Sequence, residues 1–201
     1  MQNFLRRSPI AQAAIVLVGL TFASATAVAA DAREGIFKAY QKMMDSRFSV
    51  DMTTMSDGGP MKSHSDYDTV ERIHLKNDKM ELIVLPEGTW LRAGSEWTHP
   101  PVDMSGMVKQ FIPKSIDDMR AATKDASDEG MTTWNGQPVH AYKYNVDTTV
   151  MGIHVTSQNK IYVNAAGQII HAESNGEAMG KTSQTTQDIH YDDSIRVTAP
   201  K

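Results

Sequence analysis

The 201-residue sequence contains no cysteine. That absence excludes disulfides, thiol chemistry and a lipid-modified N-terminal Cys. Positive charge is also in short supply. Twenty Lys and Arg stand against 24 Asp and Glu, for a formal net charge of −4, so there is no electrostatic footprint for nucleic acid. Catalytic signatures are missing as well: no Gly-x-Ser-x-Gly, no Gly-rich phosphate loop. The seven histidines (64, 74, 99, 140, 154, 171 and 190) are scattered singly, with no His-x-x-x-His pair. Asp117-Asp118 and Asp192-Asp193 read as a helix N-terminus and a solvated turn rather than acid/base pairs. Neither an enzyme nor a cofactor is expected. No internal repeat, low-complexity tract or linker divides the chain.

What is present begins with an export signal. Met1 to Pro9 carries Arg6 and Arg7 and no acid, Ile10 to Phe22 is almost wholly apolar, and Ala27-Val28-Ala29 offers a small-x-small cleavage site. This order of charged, apolar and small segments is that of a secretory signal peptide, residues 1–29, cleaved after Ala29 or Ala30. An uncleaved anchor is the competing reading, weakened by Gln12 and the small-residue tail. Removing residues 1–29 leaves 172, the size of a single domain, 30–201. For a bacterial chain of this kind the destination is the periplasm.

Hydrophobic spacing then sets the elements. Asp31 and Glu34 stand in capping-box spacing ahead of Ile36, Ala39, Tyr40, Met43 and Met44, which predicts a helix from Asp31 to about Ser46. Short alternating runs follow, bounded by Gly, Pro, Asp or Asn, the pattern of an antiparallel meander. Phe48, Val50 and Met52 share one face. Leu82-Ile83-Val84-Leu85 is apolar on both faces and so covered on both. Met104, Met107, Val108, Phe111 and Ile112 recur at helical spacing, and Ser115 with Asp118 starts a second helix. These two helices close the open side of a sheet, as plain core or as a movable lid. After them "TTWNGQPVHAYKYNV" turns at Asn135-Gly136, a two-residue hairpin signal. Asn175-Gly176 reads as another turn, and the polar run "KTSQTTQDIHYDD" as an edge or outer strand.

The order of "DKMELIVLPEGTWLRAGSEW", two amphipathic helices, "DEGMTTWNGQPVHAYKY", "NKIYVNAAGQIIHAES" and "YDDSIRVTAP" resembles the periplasmic lipoprotein-carrier superfamily, which includes LolA, LolB, RseB and LppX-type lipid carriers. The resemblance implies a mainly β fold with α: a half-open antiparallel β-barrel with an N-terminal helix and a helical lid. It implies that an apolar concave face holds acyl chains. The chain departs from the pattern in lacking the Arg-Pro-x-x-Phe stretch of the lipoprotein chaperone and the anchoring Cys of its receptor.

Under that resemblance the lipid-binding candidates are Phe48, Val50, Met52, Leu82, Val84 and Trp90 from the early strands. Met104, Met107, Phe111 and Ile112 come from the lid, and Tyr142 and Tyr144 from the late hairpin. In "PVHAYKYNV" the Val139/Ala141 face gives way to Lys143 and Asn145 and so runs outward to water. Tyr142, Tyr144 and Val146 look inward, hydroxyls toward the mouth, with His140 at the rim. Twelve of the 13 methionines lie beyond the signal, and methionine suits a surface that accepts chains of varying shape, or equally fills irregular core gaps. The expected partners are lipid acyl chains or a lipidated protein, with a membrane-bound donor or acceptor; no nucleic acid, and a monomer. Two other functions stay open: an envelope-stress sensory module of RseB type, and a periplasmic copper-binding protein using Met52-x-x-Met55 and Met104-x-x-Met107, although the second pair already belongs to the helix stripe.

Overall fold

The computed structural model describes residues 23–100, 116–150 and 152–200. A long helix, α1 (Ala23–Met44), leads into five strands: β1 (Phe48–Ser56), β2 (Gly59–Thr69), β3 (Arg72–Asn77), β4 (Glu81–Leu85) and β5 (Gly88–Arg92). A short helix, α2 (Ile116–Ala122), runs directly into β6 (Thr123–Trp134). Then come β7 (Gln137–Val150), β8 (Ile153–Val163), β9 (Ile169–Ala178) and β10 (Lys181–Tyr191). The ten strands among the described residues form one sheet in the order β5-β4-β3-β2-β1-β10-β9-β8-β7-β6. Every pairing is antiparallel, and the sheet is open, with β5 and β6 as its edges. The mainly β, half-open architecture expected from the sequence is the one observed. No described helix is long and apolar enough to cross a membrane.

Two meanders, β1–β5 and β6–β10, meet along a single seam, where β1 pairs with β10. Side chains alternate between faces along each strand, so the register sorts them. Phe48, Val50 and Met52 of β1 stand opposite Tyr191, Ile189 and Gln187 of β10 on the inner face. On this face α1 is laid down. Ile36, Phe37 and Ala39 of α1 join Phe48, Tyr144 and Ile161 in the main core, a cluster whose members are nearly all inaccessible. The helix ends at Met44, where Ser46 caps it by donating its hydroxyl to the Lys42 carbonyl at 2.6 Å. Lys42 sits in the last turn, where the helix dipole favours a cation, and its ammonium donates to the carbonyl of Ala166.

Local details correct four sequence expectations. The helix begins at Ala23, so Asp31 lies inside it and not at its cap. Asn175-Gly176 is no turn but part of β9. The β9–β10 hairpin turns instead at Met179 and Gly180, both with positive φ (53° and 71°). The polar run of β10 is not an edge strand but a central one, between β1 and β9. Finally, Val139 and Ala141 do not run out to water. Both are 1% exposed, packed with Tyr162 beneath Trp134 and Ile170 on the outer face. Asn135-Gly136 does turn as the sequence predicts, with φ of 47° and 80° and Trp134 paired to Gln137 across it.

Candidate functional site: the inner face of the sheet

The inner face is built in three regions of different chemistry. The first lies under α1, where Tyr142 and Tyr144 point inward as the hairpin reading expects. Both belong to the core that α1 fills. Gly35 makes this seat possible: a Cβ at that position would stand 2.7 Å from the Tyr142 hydroxyl. The Tyr144 hydroxyl meets that of Tyr40 at 2.6 Å, beneath the helix and not at a mouth. Burial pushes both phenols above their ordinary range, Tyr144 well above it. They stay neutral and satisfy each other. His140 stacks on Tyr142 at 4.6 Å and contacts the Asp128 carboxylate, a hydrogen-bonding residue rather than a ligand. Against the upward push of burial, that ring holds Asp128 below its ordinary value.

The second region is the inner face of β2–β5. Ile73, Leu82 and Val84 are buried there in a cluster of their own, with Leu75, Met80 and Leu91 against it, joined to the main core through Tyr67. The register explains the grouping, since Ile73 faces Val84, and Leu75 faces Leu82, which faces Leu91. The sequence marks Leu82 and Val84 and misses Ile73, Leu75 and Leu91. Those three alternate with Arg72, His74, Lys76 and Arg92, so their stretches read as polar although one face is wholly apolar. Trp90 does not belong here. It pairs with Ile83 on the outer face, where Ile83 and Leu85 pack with Val197 of the C-terminal segment. The tetrapeptide Leu82–Leu85 is thus covered on both faces, as expected, by two different structures.

The third region lies toward the hairpin ends of β7–β10 and is polar. A hollow of about 630 Å³ opens there, lined by Val146, Ser157, Asn175, Gly176, Thr182 and Ser183 among others. Nearby on the same face Thr54 and Thr185 bond hydroxyl to hydroxyl at 3.1 Å. Phe48 and Val50 lie at the apolar end of β1, and Met52 marks the transition, its sulfur 3.9 Å from Gln187 Nε2. Met52 and Met55 are three residues apart in a strand and point to opposite faces, so they do not converge on one copper ion. Among the described residues no group of His and carboxylate side chains is arranged to hold a metal. Met104, Met107, Phe111 and Ile112 lie outside the described residues.

No protein-family model and no curated protein sequence matches the chain. Solved structures do. LprF from Mycobacterium bovis is 8% identical with a TM-score of 0.54, over 85% of this chain and 97% of LprF. The Mycobacterium tuberculosis lipoprotein LppX is 8% identical with a TM-score of 0.53, over 84% of this chain and 99% of LppX. MucB is 12% identical with a TM-score of 0.49, over 85% of this chain and 61% of MucB. At such identities likeness speaks for fold alone, and at that level the resemblance read from the sequence holds: this chain has the fold of LprF and LppX.

Proposed function

We propose that the protein is an exported carrier that holds the acyl chains of a lipid or lipidated protein on the inner face of its sheet, without catalysis. The observation that carries this reading is the separate apolar cluster of β2–β5. The long helix fills the floor beneath β7–β10, whereas Ile73, Leu75, Leu82, Val84 and Leu91 form a second apolar floor apart from it. Burying an acyl chain yields roughly 0.8 kcal/mol per methylene, so about ten methylenes give about 8 kcal/mol, micromolar holding with no specific polar contact. Val50 and Met52 extend the floor across β1. Met104, Met107, Phe111 and Ile112 supply its lid. The polar hollow leaves little for a chain to gain at the hairpin end, so the chain lies toward β2–β5.

The test is native mass spectrometry of the protein purified from envelope extracts. A bound mass matching a phospholipid or an acylated peptide is the expected result. A bare polypeptide mass, together with failure to take up a fluorescent fatty-acyl probe, overturns the carrier reading. The same spectrum reads the export signal: the mature N-terminus is expected at Ala30 or Asp31. An intact Met1 on envelope protein would instead revive the anchor.

A further inference from the structure

The outer face of the seam carries an unusual concentration of charge. Asp51 of β1 and Asp188 of β10 are direct cross-strand partners. Facing side chains in such a pair stand about 5 Å apart at Cβ, and like charges so placed oppose the pairing. Each carboxylate is met by an imidazole from the next strand out. His64 Nδ1 of β2 lies 2.7 Å from Asp51, and His171 Nδ1 of β9 lies 2.7 Å from Asp188. His190 Nε2, on β10 itself, approaches the other Asp51 oxygen at 3.8 Å. The result is a row His64–Asp51–Asp188–His171 across four adjacent strands, centred on the line where the two meanders join.

We propose that this row is a proton-operated clasp: the seam between the two halves of the sheet tightens as His64 takes up a proton and slackens as it loses it, leaving Asp51 and Asp188 opposed. Exposed ion pairs taken singly contribute little, but here one end is rigid. His171 is only 4% exposed and stacks on Trp134 at 3.8 Å, so Asp188 is held in place. The other charged groups around the row do not neutralise the opposed pair. His64 Nε2 faces Asp66 at 3.2 Å, and its β3 neighbour Lys76 is engaged with Glu81 at 3.3 Å. His74 stands between Asp66 (3.7 Å) and Glu81 (3.8 Å), and Glu81 is further paired with Arg92. His171 faces Glu173 at 3.7 Å, and the phenol of Tyr162, beside it on β8, donates to the same Glu173. Lys160, also on β8, is the cross-strand partner of Glu173 and lies over the Tyr162 ring. The bond from Asp51, aided by Asp66 and opposed by burial, raises the His64 imidazole above its ordinary value. Its contribution is therefore fully present below pH ~6.5 and fades as pH climbs through the raised folded value. This clasp belongs to the sheet itself and operates with or without cargo on the inner face.

The experiment is thermal unfolding from pH 5.5 to 8.0 of the full chain, Asp188→Asn and His64→Gln. Relative to the parent, Asp188→Asn is expected to gain about 3 °C at pH 8.0 and to gain less, or lose, at pH 5.5. His64→Gln is expected to lose stability at pH 5.5 and to converge on the parent at pH 8.0. Other histidine–carboxylate pairs contribute to the parent's own slope, so the differences between curves are the readout. If Asp188→Asn does not fold, His64→Gln decides alone, because its curve crosses the seam from the other side. Variant curves that run parallel to the parent across the range overturn the clasp.

Discussion

Ile36→Asp is expected to abolish the cooperative unfolding transition or lower it by at least about 15 °C. Ile36 is fully inaccessible, at the centre of the contact between α1 and the sheet. Removing its side chain alone costs roughly 2–5 kcal/mol. A carboxylate in its place is either charged in an apolar setting or must be protonated, which costs several kcal/mol more. Natural domains have about 5–15 kcal/mol in hand, and at this chain length each kcal/mol moves the midpoint by about 2–4 °C. Circular dichroism at 218 nm against temperature is the measurement. A second readout is limited proteolysis, since a helix lifted from its seat exposes the bonds around Arg33 and Lys38. An unchanged midpoint would mean that α1 does not hold the inner floor, and the space beneath it would then be open to the proposed cargo.

The side of the molecule that this helix occupies explains much of what the sequence did and did not disclose. Patterns that depend on neighbours in the chain were legible. Asn135-Gly136 turns because two adjacent residues accept positive φ, and Phe48, Val50 and Met52 share a face because strands alternate. Patterns that depend on distant partners were not. The strand Lys181–Tyr191 looks like an edge because only Ile189 and Tyr191 are apolar. It is central because its polarity is matched on both sides: Thr185 by Thr54 inside, Asp188 by His171 outside. In the sequence, Val139 and Ala141 read as facing water because Lys143 and Asn145 follow them on the same face. The cover they find is Trp134, which comes back over them only because the Asn135-Gly136 turn folds β6 onto β7.

The proposed lipid-facing surface shows the same division. Seven inward residues are readable from alternation or resemblance: Phe48, Val50, Met52, Leu82, Val84, Tyr142 and Tyr144. Trp90 resembles them in hydrophobicity, but the register places it beside Ile83 on the far side of the sheet. Ile73, Leu75 and Leu91 were hidden among charged neighbours whose heads all leave by the other face. Glu81, on that same outer face, is nearly buried; against the cost of burial, Lys76 and Arg92 hold it below its ordinary value. A surface of this kind, apolar inside and ion-paired outside, averages to an unremarkable polarity when read as a string.

Phe111→Asp is expected to remove bound lipid while leaving a folded sheet. Phe111 falls in the stripe Met104, Met107, Val108, Phe111 and Ile112, which is apolar at helical spacing, with Asp103, Lys109 and Gln110 on the other side. If that stripe closes over an acyl chain, the aspartate faces the chain's own site. Empty, the site admits water and the carboxylate stays solvated, so folding costs little. Filled, it would bury the charge against methylenes, a cost of several kcal/mol that cancels the roughly 8 kcal/mol from about ten of them to within a weak residue. Lipid retention should therefore fall by two orders of magnitude or more, since each 1.4 kcal/mol is tenfold. If the stripe is ordinary core, the same substitution buries an unpaired carboxylate in every molecule, and the sheet signal is lost along with the lipid. Circular dichroism and native mass spectrometry on one sample separate the two. Trp90→Ala serves as the control, because that side chain packs on the outer face with Ile83 and Val197 and should leave the lipid mass where it was. A Phe111→Asp protein that keeps both its sheet and its lipid would place the cargo away from this stripe and sink the lid.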